Sequence, residues 1–327
     1  LRFLGDEKSS YDPGYRPLQD EDFEALSKAE VFEIANDMQD SRLSLAGAQS
    51  KTGWFLPRGK DAKKAGSGDW MLPLGSAPST HIVKIASTKH PDLPFNELIC
   101  MTAASAAGLE IARSEASDTI PGAFFSERYD RIWSNEPPSM SGFDVPLRLH
   151  QEDFCQAVGW PSYRKCETRP DSCYMALCGR LIREQSSNVI ADTQMFARQV
   201  MVDYALGNCD SHLKNHSFLY SPSWREKRLA PAYDIVCTTI MGYDHNLGID
   251  IGDHRVIDGV TPEDFEFMSQ DLHLPLKMIK NIAAEVAEEV SAQLAELASA
   301  TGDLGRVALK IQTDSVERMR VLEQFSA

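Results

Sequence analysis

With 327 residues the chain has room for two domains, or one two-lobed enzyme, at about 150 residues per domain. Its 43% hydrophobic, 25% charged and 9% aromatic residues sit near globular averages, which excludes a fibrous repeat and global disorder. A formal net charge of −15 argues against direct binding to nucleic-acid backbone, which needs clustered Lys and Arg, but leaves room for a basic partner.

The seven cysteines are odd in number and scattered, unlike a secreted disulfide framework, so a reducing cytoplasm is the expected location. Cys173 and Cys178 lack the matching His or Cys pair of a zinc site and read as buried core thiols. No apolar run is long enough for a membrane span, and no charged and then apolar leader opens the chain. The sequence begins Leu1-Arg2-Phe3-Leu4 without Met and reads as part of a longer product.

Residues 1–20, rich in Gly, Pro, Asp and Ser, read as an irregular lead-in. Glu21 to Gln39 sets Phe23, Leu26, Val31, Ile34 and Met38 at helical spacing. Ser41 to Gly53 is a small-residue loop entering the strand-like Trp54-Phe55-Leu56. Such a loop is either an ordinary turn or one whose backbone N–H groups close over phosphates, with Lys51 adding charge; it lacks a Walker pattern. Lys60 to Gly68 reads as a solvent-facing hairpin loop, and Trp70 to Leu74 resumes an apolar run.

Thr80 to Ala86 alternates as a strand and sets Lys84 among apolar neighbours, where an ammonium needs an anionic partner. A helix is expected over Asn96 to Gly108, with Glu97 in its first turn. Glu97 is either exposed and favoured by the helix dipole, or paired with Lys84 to aim it at phosphates. Ile111 to Ile120 and Ala123 to Tyr129 read as strands joined at Pro121-Gly122, completing a small antiparallel sheet like a kinase N-lobe. Glu127, Arg128 and Tyr129 then form the strand exit where backbone can meet an adenine, and Trp133 to Phe143 reads as a connecting loop.

From His150 the pattern turns helical, with Phe196, Val200 and Tyr204 marking a helix that stops at Gly207. Ser217 to Tyr220 reads as a short strand, and Asp234 as the end of another. Gly242 to Gly259 is rich in Gly and Asp, but its spacing does not fit a calcium loop. Three helices follow: Pro262 to Gln270, Pro275 to Ala298 and Leu304 to Phe325. The second carries the core stripe Ile279, Ile282, Val286, Val290 and Leu294.

The chemistry concentrates in Gly207 to Asn215. Asp210 and Asn215 stand five apart after a helix, with Asp234 further on, the groups that phosphoryl transfer to a hydroxyl requires. Asp210 takes the role of proton acceptor, and Asn215 and Asp234 hold magnesium. The alternative makes Asp210 a turn cap and Asn215 a loop-satisfying amide. Lys214 beside Asp210 could neutralise phosphate oxygens, His212 reads as structural, and His216 as the packed start of a strand. Cys209 has no triad partners for thiol catalysis.

Six ordered motifs, Leu45 to Lys51, Thr80 to Lys84, Glu127 to Arg131, Gln151 to Gln156, Asp210 to Asn215 and Tyr233-Asp234, together resemble the HipA family of serine/threonine kinases, toxins of HipBA toxin–antitoxin systems. The resemblance runs from about residue 12 to the C-terminus. It implies an α+β, bilobal protein-kinase-like fold with a mainly antiparallel β N-lobe over 1–131 and a helical C-lobe over 132–327. It also implies ATP and Mg2+ as cofactors, a HipB-like DNA-binding antitoxin as partner, and a protein substrate such as an aminoacyl-tRNA synthetase.

Carried over by position, Ala46, Gly47, Ala48, Gln49, Ser50 and Lys51 form the phosphate loop, and Lys84 holds the ATP phosphates. Glu127, Arg128 and Tyr129 face adenine, and His212, Leu213, Lys214, Asn215, Tyr233 and Asp234 complete the nucleotide site. Ser44 matches the family's autophosphorylated serine, with Ser41 a second candidate. Phosphate there would repel ATP, a physical basis for self-silencing. Members usually carry a further N-terminal subdomain, and the chain departs from ordinary eukaryotic kinases in having Asn208-Cys209-Asp210 and Tyr233-Asp234-Ile235. Two other readings stay open: a catalytically silent subunit that binds an antitoxin, and a small-molecule kinase.

Overall fold

The computed structural model describes residues 12–19, 22, 51–86, 90–167 and 172–327. The expected helix over Glu21 to Gln39 lies outside them except for Asp22, and so do Ser41, Ser44 and all of 46–50. The chain divides into two compact units, Leu1–Pro94 with Ala112–Arg148, and Phe95–Ile111 with Leu149–Ala327.

The first unit is built of short strands. β1 (Gly14–Pro17) pairs antiparallel with β3 (Met71–Leu74), while β2 (Lys51–Trp54), β4 (His81–Ile85), β5 (Ser114–Ala116) and β6 (Ala123–Glu127) form an antiparallel sheet ordered β2-β4-β6-β5. Its register sets Lys51 opposite Lys84 and Lys84 opposite Phe124 on one face; Thr52, Val83 and Phe125 line up on the other. Because side chains alternate along a strand, this sorts the lysines away from the core. Trp54, Val83, Ala123 and Phe125 pack with Trp70, Leu56 and Leu72 on the second face, and Trp70 stacks on Phe125 at 4.5 Å between centroids.

Residues 60–68, expected to face solvent, contribute Ala62 and Ala65 to this core. Residues 132–148, read from sequence as the start of the second lobe, group with the first unit. There β7 (Arg131–Ile132) pairs with β10 (Leu147–Arg148), and β8 (Ser139–Met140) with β9 (Phe143–Asp144).

The second unit is mainly helical. It holds most of α1 (Leu93–Ala106), then β11 (Gln151–Asp153), α2 (Phe154–Ala157), α3 (Tyr174–Gln185) and α4 (Val189–Leu206). β12 (Ser217–Tyr220) lies between β11 and β13 (Lys227–Leu229), both antiparallel to it. The Gly- and Asp-rich segment folds as a hairpin of β14 (Asn246–Ile251) and β15 (His254–Val256). α5 (Asp264–Leu272), α6 (Leu276–Ala298) and α7 (Gly302–Ser326) follow. The expected stripe of α6 is buried throughout, from Ile279 to Leu294, as are Val307, Ile311 and Leu322 of α7.

α4 ends where the sequence places its end. Gly207 caps it in the left-handed region at φ 74°, which a glycine adopts without Cβ strain, and its N–H returns to Tyr204 O at 3.1 Å. Among the described residues all cysteines are free, and Cys178 is buried as expected. Cys173 is exposed instead, because it caps the start of α3, its sulfur accepting from Ala176 N. No helix among the described residues is long and apolar enough to cross a membrane.

Candidate active site

The loop after α4 is held from three directions. Gly207 O accepts from the Thr238 N–H and hydroxyl at 3.0 and 3.1 Å, and Thr238 Oγ1 accepts from Cys209 N at 2.9 Å. Thr238 therefore fastens the Asp210 loop to the segment that carries Asp234. Gly248 of β14 donates to Cys209 O at 2.8 Å, and a Cβ there would fall 2.6 Å from Ser211 O, so the strand needs glycine at this crossing. From beneath, Asp203 of α4 accepts from Asn208 Nδ2 at 2.8 Å and from the Ser211 hydroxyl at 2.6 Å.

Asp203 is a residue that sequence reasoning passed over. It is buried, and burial pushes its pKa up to about 7 against the pull of its two donors. The available signal was an acid seven residues after Phe196 and three after Val200, on the stripe assigned to the core. His216 packs edge-on against Phe196 at 5.0 Å and is pushed down to about 3 by burial, which agrees with a packing role.

Within the loop, Asn215 Nδ2 donates to Asp210 O at 2.7 Å and Asn215 N to His212 O at 2.8 Å, closing a tight turn that brings positions 210 and 215 together. The Asp210 side chain is 62% exposed, open to an acceptor hydroxyl. Tyr233 donates its hydroxyl to Lys214 O at 2.8 Å and meets Ser217 Oγ at 2.7 Å, so the residue before Asp234 is tied to the same loop.

Asp234 sits at φ 62°, a left-handed conformation uncommon outside glycine, rather than at the end of a strand. Strain of this kind persists where surrounding structure imposes it, and it concentrates at functional positions. The donor set suits magnesium. With Nδ2 of Asn215 spent on Asp210 O, its Oδ1 remains as a hard oxygen donor, and Asp234 adds a carboxylate. Among the described residues no group of three or more His, Cys, Asp or Glu is placed to hold a metal ion.

The loop's two other polar side chains are engaged within the second unit. Lys214 donates to Asp153 Oδ2 at 2.7 Å, so its charge is spent at the N-cap of α2 rather than beside Asp210. His212 is buried, with Nε2 at 2.8 Å from Lys165 Nζ and 3.5 Å from Asp210 Oδ1. Burial holds its pKa below the ordinary value, against the opposing pull of the Asp210 carboxylate. Cys209 is buried with its thiol pKa raised by burial, unsuited to nucleophilic attack.

The first unit holds the other expected residues. Lys84 is buried, 6.0 Å from the Phe124 ring centre, with Lys51 as its register partner across β2 and β4. The register therefore brings two ammonium-bearing side chains to the same face of the sheet. Glu127 N donates to Arg113 O at 2.7 Å and Arg128 N to Thr80 O at 2.9 Å, while Arg128 makes a two-pronged contact with Asp130. Arg128 O in turn accepts from Arg131 N at 3.2 Å, so both backbone groups of Arg128 are engaged within the first unit. Glu97, in the second unit, is buried, which removes the solvent-exposed alternative.

An antiparallel unit presenting paired lysines, and a helical unit presenting an Asp–Asn loop, make up an α+β fold of the kinase-like class. The chain belongs to the HipA-like C-terminal domain family, whose model matches residues 43–294. "Putative kinase Y4mE" of Sinorhizobium fredii is 26% identical over 93% of this chain and 70% of its own length. The serine/threonine-protein kinase toxin HipA of Shewanella oneidensis is 28% identical over 78% of this chain and 57% of its own.

Among solved structures, the Shewanella oneidensis toxin–antitoxin complex of HipA, HipB and operator DNA matches over 99% of this chain and 75% of the matched chain, with a TM-score of 0.73 at 23% identity. The Helicobacter pylori proinflammatory kinase CtkA matches over 75% of this chain and 90% of its own, with a TM-score of 0.50 at 11% identity. These two likenesses bear on the fold.

Proposed function

We propose that the chain is an ATP-dependent protein serine/threonine kinase of the HipA type. It acts as the toxin partner of a HipB-like DNA-binding antitoxin in the cytoplasm. Its substrate is a component of translation such as an aminoacyl-tRNA synthetase, and it autophosphorylates at Ser44. The observation that carries the reading is the Asp210 to Asn215 turn, closed by Asn215 Nδ2 on Asp210 O at 2.7 Å and fastened through Thr238 to the segment bearing Asp234.

In the reaction, Asp210 takes the proton of the acceptor hydroxyl as its oxygen bonds to the γ-phosphorus, and ADP leaves with the electrons of the broken P–O bond. Lys84 and Lys51 bind ATP phosphates, with the loop of Ala46 to Ser50. Asn215 and Asp234 hold Mg2+, which supplies charge neutralisation of the phosphates when bound. Asp203 acts on the base indirectly by holding Asn208 and Ser211 on either side of it.

The test is Asp210→Asn in the full chain, incubated with Mg–ATP and read by ADP release and intact mass. Wild type gains phosphate on Ser44 or Ser41. The variant keeps its fold and nucleotide binding but transfers about 10²–10⁴ times more slowly. Phosphorylation at the wild-type rate in that variant would remove Asp210 from the role of base.

A further inference from the structure

Resting on the kinase reading, we propose that Lys165 is the cation that contacts the transferred γ-phosphoryl group beside Asp210, the place which chain order would give to Lys214. Lys165 is forty-five residues from Asp210 in sequence, on the irregular stretch after the turn Ser162–Arg164. Backbone bonds hold it against the loop. Leu213 N donates to Lys165 O at 3.1 Å, and Glu167 N, two residues on, donates to Gly248 O at 2.9 Å. Gly248 in turn donates to Cys209 O, so the stretch and the catalytic loop share one strand as a support.

The side-chain geometry points the same way. Lys165 Nζ lies 2.8 Å from His212 Nε2 and 3.9 Å from Asp210 Oδ1, and its side chain is 40% exposed. One of its three N–H groups is spent on the imidazole, which fixes the ammonium in place. The contact with Asp210 is too long for a hydrogen bond and lies near the surface, so it does not trap the ammonium. Lys214, by contrast, is 2.7 Å from a carboxylate that is only 13% exposed.

A general base works only within hydrogen-bond reach of the hydroxyl it deprotonates, and that hydroxyl attacks a phosphorus close by. A cation within 4 Å of the base oxygen therefore lies within reach of the transferring phosphoryl oxygens. The need is electrostatic: a carboxylate and a phosphoryl group repel, and a fixed ammonium between them offsets the repulsion in the transition state. As the acceptor oxygen bonds to phosphorus and the bond to the β-phosphate oxygen breaks, Lys165 keeps all its protons and the hydroxyl proton goes to Asp210.

The experiment measures Mg–ATP and Mg–ADP binding by calorimetry, and phosphate incorporation by intact mass, for full-length wild type, Lys165→Met, Lys165→Gln and Lys214→Met. Lys165→Met is expected to weaken ATP binding about tenfold, leave ADP binding within about twofold, and slow transfer about 10²–10³-fold. Lys165→Gln keeps an N–H for His212 and should show the same ATP-selective loss, which covers misfolding of the Met variant. Lys214→Met should not separate the two nucleotides. Equal effects on ATP and ADP, or none, would overturn the role of Lys165 while wild-type turnover leaves the kinase reading standing. A wild type that binds neither nucleotide removes both.

Discussion

Asp203 shows how a single buried side chain can set the geometry of a loop it does not belong to. Its two oxygens take donors from Asn208 and Ser211, the residues two before and one after Asp210. Full burial makes the charged form costly, and the carboxyl pKa rises from 3.8 to about 7. The folded state therefore holds a proton that the unfolded chain has released across that window, so this group favours folding below pH 3.8 and loses its contribution as pH rises to about 7. Asp203→Asn cannot titrate. Urea midpoints of variant and wild type should diverge in the variant's favour between about pH 4 and about pH 7, by up to roughly 1.4 kcal/mol per unit of displacement, and run parallel above. A constant gap across the window would mean that Asp203 stays ionised on folding.

At the scale of elements, the site depends on where α4 stops. Gly207 turns the chain at φ 74°, and a Cβ there would overlap the Thr239 hydroxyl and the Arg318 guanidinium. Arg318 in turn bonds Ala205 O and Asp314, so neither neighbour yields without breaking buried bonds. Gly207→Ala should cost at least 1–3 kcal/mol, roughly, in chemical denaturation, and lower transfer by moving the loop. Wild-type stability in that variant would show that the crossing is looser than it looks. This boundary was legible because a helix stop is a local signal: apolar residues at helical spacing, then glycine. The strand Ser217–Tyr220 and the stripe of α6 were legible for the same reason. Lys165 was not, since its relation to Asp210 runs through backbone bonds between segments with no shared period. Lys214 misled for the complementary reason, because nearness in sequence to Asp210 does not reveal that Asp153 has taken its charge. The grouping of residues 132–148 with the first unit was not legible because two-residue strands leave no alternation to read.

On the scale of the whole chain, each unit has a core of its own. The cluster around Trp54, Trp70, Val83 and Phe125 draws only on the first unit, and the buried rows of α6 and α7 only on the second. The probes separate as well. Trp54 and Trp70 are fully buried in the first unit, which also holds half-buried Trp133, whereas the second has only half-buried Trp160 and Trp224, 61% exposed, so tryptophan emission reports chiefly on the first. The long helices lie in the second and dominate the far-ultraviolet dichroism. Val83 is 1% exposed, and Val83→Ala removes two buried methyl groups at a cost of roughly 1–3 kcal/mol. If the units unfold separately, the variant lowers the urea midpoint seen by fluorescence and leaves the dichroism midpoint in place. Equal shifts in both would mean that the two cores melt as one cooperative body, and that a substitution in the lysine-bearing sheet acts on the stability of the Asp210 loop.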